Sequence, residues 1–109
     1  MPDSPQRITE NEIRFREINE RLRDSLVDVV AADEILEFVC ECGNGTCTAP
    51  VRLTLDEYEA VRQDARHFAV LAGHERPEAE TVVERRDRYS VVEKQGPTVP
   101  IVRAHDPRG

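Results

Sequence analysis

The chain has 109 residues, of which 34% are charged and 39% apolar, and its acidic residues outnumber the basic ones by seven. A negative average field repels polyanions, which disfavours nucleic acid and anionic membrane surfaces as partners, and no apolar run approaches the roughly 18 residues of a membrane span. A chain this short buries only about 60–70% of its unfolded surface, and with no Trp, three Phe and two Tyr it is short of aromatic bulk, so a cross-link or a metal would matter.

Residues 1–8, with two prolines and little apolar content, read as a loose tail. A helix is predicted from about Thr9 to Val30. Thr9 and Glu12 have the form of a capping box, and Phe15, Ile18, Leu22, Leu26 and Val29 recur at three- and four-residue steps as a buried stripe. Glu10 with Arg14, Glu12 with Arg16 and Glu17 with Arg21 give acid-first pairs four apart. Phe15, Ile18 and Leu22 also fit the seam of a short helix pair, which would allow a homodimer through this helix.

Glu37 to Cys42 follows as a short strand, with Phe38, Cys40 and Cys42 on one face. Gly43-Asn44-Gly45 reverses the chain, Asn-Gly supplying positive φ, and Val51-Arg52-Leu53 returns. Thr54 and Glu57 start a second helix that buries Leu55, Tyr58 and Val61. His67 to Leu71 reads as a strand ended by Gly73. Thr81–Arg85 and Tyr89–Lys94, rich in Val, form a hairpin across Arg86-Asp87-Arg88. Residues 96–109 read as extended or disordered. The expected fold is therefore α+β: a long N-terminal helix, a small antiparallel sheet with a cysteine-bearing hairpin, one further helix and a C-terminal β-hairpin, in one domain over 9–95.

The chemistry concentrates in Cys40-Glu41-Cys42-Gly43-Asn44-Gly45-Thr46-Cys47, a C-x-C-x4-C spacing around a glycine-rich turn. Three thiolates at that separation can chelate one ion, and Zn²⁺ favours four N or S donors in a tetrahedron. His74, in Ala72-Gly73-His74-Glu75, is the first choice for the fourth donor because a Gly-preceded loop can swing its imidazole toward the hairpin. His67, at a helix–strand junction, is second, and His105, in the C-terminal tail, is third. Two plainer readings stand beside zinc: buried free thiols that merely pack, and a Cys42–Cys47 disulfide with Cys40 left free.

A catalytic zinc needs an open coordination position and a poised acid or base. Glu41 and Glu75 are near in sequence, yet the H-E-x-x-H and zinc-deaminase patterns are absent, as are G-x-S-x-G, Walker A and G-x-G-x-x-G. Such a Glu pair reads more simply as solvated surface. Four protein donors on so small a chain suit a closed, stabilising site.

Phe15-Arg16-Glu17-Ile18-Asn19-Glu20-Arg21, Cys40-Glu41-Cys42-Gly43, Leu53-Thr54 with Glu57-Tyr58-Glu59 and Val61-Arg62, and Gly73-His74-Glu75 together resemble a family of small uncharacterised actinobacterial proteins. The resemblance runs from the first helix to Lys94. It implies a bacterial cytoplasmic origin and places His74 in a recurring motif. An odd cysteine count and an N-terminus without a basic region and apolar core point the same way, to a reducing cytoplasm. The expected function is a non-catalytic regulatory or protein-interaction module stabilised by structural zinc. A redox or metal sensor built on the same thiolates is the alternative. Nucleic-acid association through Arg85, Arg86 and Arg88 is the third reading, set against a solvated hairpin end balanced by Glu84 and Asp87.

Overall fold

A computed structural model describes residues 4–47 and 49–108. The first helix, α1, spans Pro5–Leu26. It starts four residues before the expected Thr9, because Ser4 caps it: the Ser4 hydroxyl accepts the Arg7 N–H at 3.2 Å, and Pro5 sits in the first turn, where its missing N–H costs nothing. The expected loose tail is thus helical from residue 5, and residues 1–3 lie outside the described residues. Thr9 is an interior residue whose hydroxyl donates to the Pro5 carbonyl at 2.9 Å. The helix also stops short of Val30, ending where Val27, Val29 and Val30 bring β-branched side chains of weaker helix preference.

The larger departure is the face that α1 buries. Ile18 is 41% and Val29 75% exposed, whereas Ile8, Thr9, Glu12, Ile13, Arg16, Asn19 and Glu20 are buried. These residues also recur at three- and four-residue steps, but most are polar. Burial of a polar group is tolerated when it is paired, and the partners are present. Arg16 donates to the carbonyls of Ala65 at 2.6 Å and Val102 at 2.9 Å and stacks its guanidinium 4.9 Å from the Phe68 ring centroid. Glu20 accepts from Arg62 at 2.6 Å.

Beyond α1 the chain forms two antiparallel sheets. Strands β1 (Ile35–Val39) and β2 (Pro50–Thr54) pair alone, with Phe38 opposite Val51. Helix α2 (Leu55–Val61) begins with a full capping box, Thr54 and Glu57 exchanging bonds at 3.1 and 2.8 Å, and buries Leu55, Tyr58 and Val61. Strands β3 (His67–Val70), β4 (Glu80–Arg85) and β5 (Ser90–Lys94) form the second sheet in the order β3-β5-β4. The β4–β5 hairpin closes through the Arg86 N–H to Tyr89 carbonyl bond at 2.8 Å, and its register shifts between Val82 and Glu84. The core between these layers includes Phe38, Leu53, Tyr58, Phe68, Val70 and Val92, with the Phe38 and Tyr58 rings stacked at 4.7 Å and 7°.

Residues 96–108 are also folded, where the sequence reading expected 96–109 to be extended or disordered; residue 109 lies outside the described residues. Helix α3 (Val99–Ala104) starts with Pro100 in its first turn and buries Val102 completely. Beyond it, Asp106 pairs with the fully buried Arg62, while Arg108 contacts Glu20 at 2.8 Å and Glu59 at 2.6 Å. Composition hides these links because each partner lies far back in the chain. Among the described residues, no helix is long and apolar enough to cross a membrane.

Candidate metal centre

The cysteine segment is positioned from both sides. At the end of β1, the Asn19 side chain of α1 serves Val39 as a strand neighbour would, accepting its N–H at 2.8 Å and donating to its carbonyl at 2.9 Å. Strand β1 stops there, so Cys40 and Cys42 lie in the loop that follows rather than on a strand face as expected. Glu41, read from sequence as solvated surface, is fully buried. Its backbone N–H donates to the Ala69 carbonyl at 2.9 Å, and its carboxylate accepts from the Ala69 N–H at 2.9 Å and from Asn19 Nδ2 at 2.8 Å. Burial raises the carboxyl to about 7, against the pull of Asn19, Ala69, Arg62 and Arg16. Through Glu41 the loop is fastened to the free edge of β3.

Gly43 makes the next bend. Its φ is +78°, and a Cβ there would fall 2.7 Å from Ile8 Cγ2 and 2.9 Å from Glu12 Cγ, so both conformation and proximity to α1 demand glycine. Asn11 Nδ2 secures it by donating to the Gly43 carbonyl at 2.9 Å. Only glycines have positive φ among the described residues, so the expected role of Asn44 falls to Gly43 instead. Asn44 organises the turn with its side chain, which accepts from the Thr46 N–H at 3.0 Å, and its carbonyl accepts from Cys47 at 3.0 Å.

His74 arrives from the opposite side, on the turn after β3. Gly73 takes φ +89°, the His74 N–H donates to the Leu71 carbonyl at 3.0 Å, and Glu75 accepts the Gly73 N–H at 2.8 Å. His74 Nδ1 then lies 3.6 Å from Cys40 Sγ and 3.6 Å from Cys47 Sγ. One donor atom from each of Cys40, Cys42, Cys47 and His74 lies within 4.8 Å of all the others. A four-coordinate zinc with Zn–S of about 2.3 Å and Zn–N of about 2.0–2.1 Å imposes S···N edges of about 3.5–3.6 Å. The cluster has that size.

A backbone donor supports one sulfur: the Leu71 N–H points at Cys40 Sγ at 3.4 Å. The hydrogen bond from Cys40 holds the Cys42 thiol down to about 4, with Asn44, His74 and Cys47 acting in the same direction against burial. Cys40, giving that bond while buried, is pushed up. All three cysteines are free, so the alternative Cys42–Cys47 bridge is absent. Cys40 and Cys42 belong to the apolar core as well, so packing and chelation are compatible here. Cys42, Asn44, Gly73, His74, Glu75 and Arg76 line a surface cleft of about 320 Å³ beside the cluster.

The other histidines lie elsewhere. His105 is exposed at the end of α3. His67 Nε2 sits 3.0 Å from Glu93 Oε2, directly across the β3–β5 pairing, and 3.8 Å from Asp64 Oδ2. Arg66 already spans both carboxylates, at 2.9 Å to Asp64 and 3.3 Å to Glu93, which makes this second His–carboxylate group part of an ion-pair cluster. Sequence reading missed it because Glu93 joins only through strand register. No family model, curated protein or solved structure matches the chain. Fold and site define its class: an α+β protein whose two antiparallel sheets are bridged by a loop carrying most of a Cys₃His cluster.

Proposed function

We propose that this chain is a non-catalytic regulatory or protein-interaction module of the bacterial cytoplasm, stabilised by a structural zinc ion on Cys40, Cys42, Cys47 and His74. The observation that carries it is the pair of 3.6 Å separations from His74 Nδ1 to two sulfurs, which match the edge of a zinc tetrahedron. Three sulfurs and an imidazole suit a borderline-soft ion. Four protein donors fill the tetrahedron and leave no position for a substrate, which supports a stabilising role. A protein partner, or a second copy docking through the first helix, is supported by the apolar side chains left in solvent, among them Ile18 on α1, Val27 and Val29 after it, and Ile35 at the start of β1.

Metal analysis of protein produced with ample zinc tests the reading. About one zinc per chain is expected, with a strong loss in Cys47→Ser and His74→Ala. Metal-free protein whose melting is indifferent to chelator would overturn it. The partner is tested by pull-down and sedimentation, with Ile18→Asp expected to abolish capture or self-association. Wild-type protein that stays monomeric and enriches nothing removes the interaction role.

The cleft beside Cys42 and His74 favours a second reading, a thiolate redox sensor. Peroxide entering there would take two electrons and two protons as Cys42 and Cys47 join in a disulfide, giving two waters and expelling the ion. Zinc release by mild peroxide is the expected result, and a cluster that stays loaded rejects the sensor. The third reading, nucleic-acid association, loses support because the hairpin arginines face carboxylates: Arg85 meets Glu75 at 3.5 Å, Arg88 meets Glu57 at 2.8 Å, and Arg86 pairs with Glu84.

A further inference from the structure

A second group of buried charges lies where α1 crosses the three-stranded sheet. Lys94 Nζ donates to Glu12 Oε1 at 2.8 Å, with the two side chains 2% and 0% exposed. Glu80 stands opposite Lys94 in the β4–β5 register, and its Oε2 accepts the Arg76 N–H at 3.1 Å. Two buried oxygens, Glu12 Oε2 and Glu80 Oε1, are left without a partner. The two carboxyls are within hydrogen-bonding reach of each other.

If both acids are ionised, two desolvated carboxylates stand together with only one ammonium directly bonded, and the charge on Glu12 opposes ionisation of Glu80. The remaining charged neighbour is Arg76, from the segment before β4, whose Nε is engaged by the Cys42 carbonyl at 3.0 Å. The cysteine loop contributes only the uncharged Gly43, packed on Glu12 Cγ. One proton between the free oxygens would make one a donor and the other an acceptor, satisfy both, and leave one negative charge against Lys94.

We infer that Glu12 and Glu80 share a single proton between Glu12 Oε2 and Glu80 Oε1, forming with Lys94 a proton-dependent latch that fastens α1 to the three-stranded sheet. Burial, the leading cause at both acids, and the mutual repulsion of the carboxyls raise the group, Glu80 to about 8. The unfolded chain releases the same proton at ordinary carboxyl values near 4.5. The folded state therefore holds more protons across that interval, so the latch's contribution to stability falls as pH rises from about 4.5 to about 8. Once the proton leaves to solvent, two buried carboxylates repel each other across the joint between α1 and β4, which loosens.

Carboxyl carbon NMR titration of the full, metal-loaded chain reads the proton directly. One resonance of the Glu12–Glu80 pair is expected to move with a midpoint above pH 6, and Glu80→Gln, which keeps a donor amide in place of the proton, should remove that transition. In parallel, the denaturation midpoint of the wild type should fall more steeply from pH 5.5 to 8.5 than that of Glu80→Gln. Two carboxyls titrating below pH 5 overturn the latch even if the variant fails to fold, as does a variant whose slope equals that of the wild type.

Discussion

Asn19 shows how much of the site depends on residues that hold no metal. Its amide meets both polar groups of Val39 and also donates to Glu41. Asn19→Ala should strand those groups in a buried setting and cost about 2–4 kcal/mol, given about 1–3 kcal/mol for each orphaned polar group. Chemical denaturation checks this, and a loss near zero would show that water replaces the amide. Gly43→Ala is expected to be at least as damaging, since the added methyl meets Ile8 Cγ2 and the Ile8 carbonyl at 2.7 and 2.9 Å and the φ is positive. Its distinguishing mark is weakened metal retention, read by competition with a chromogenic chelator. At this scale the sequence was readable where chemistry is local: the thiol spacing and the Gly-preceded His74 named the gathered group. The role of Glu41 was not readable, because only a distant strand, β3, turns that carboxylate from a surface charge into a buried acceptor.

Among the elements, α1 carries the main lesson about reading patterns. Its true buried stripe has the same helical spacing as the apolar one, displaced around the axis, and it is hidden because Glu12, Arg16, Asn19 and Glu20 become acceptable inside only through Lys94, Val102, Val39 and Arg62. A hydrophobicity pattern has no access to partners that distant. By contrast the α2 start and the β4–β5 hairpin were legible, the first from a box spanning four residues and the second from its richness in Val. The helix α3 escaped notice for the reason α1 was misread: much of what holds it is a guanidinium from elsewhere. Arg16→Ala should leave the carbonyls of Ala65 and Val102 without their donors and cost about 3 kcal/mol. Arg16→Lys, which offers one compact donor group in place of the fork, should recover only part of it. Urea denaturation of both variants checks the order, and equal stability of the two would remove the bidentate role.

For the molecule as a whole, the cysteine loop adds a polar tie between two sheets that share one apolar core. Glu41 fixes it to β3, Asn11 and Gly43 to α1, and His74 closes it from the β3–β4 connection. Removal of the ion should therefore loosen the interior as a unit rather than fray one loop. If the metal contributes even about 3 kcal/mol, well below what zinc adds to small finger domains, the melting temperature should drop by roughly 10–25 °C on chelation. Calorimetry with and without chelator measures it, and re-addition of zinc should restore the original value. A melting curve unaltered by chelation removes the stabilising role.

The partners of the inner face of α1 also bear on synthesis. Lys94, Val102 and Arg108, which answer Glu12, Arg16 and Glu20, are translated 82, 86 and 88 residues after them. Until then the first helix must wait with its permanent neighbours untranslated, and its polar inner side is one that water can serve in the meantime. A nascent chain of this design stays wettable while incomplete, then closes in a late, concerted step, so a polypeptide ending before residue 94 should resist precipitation yet never reach the native state.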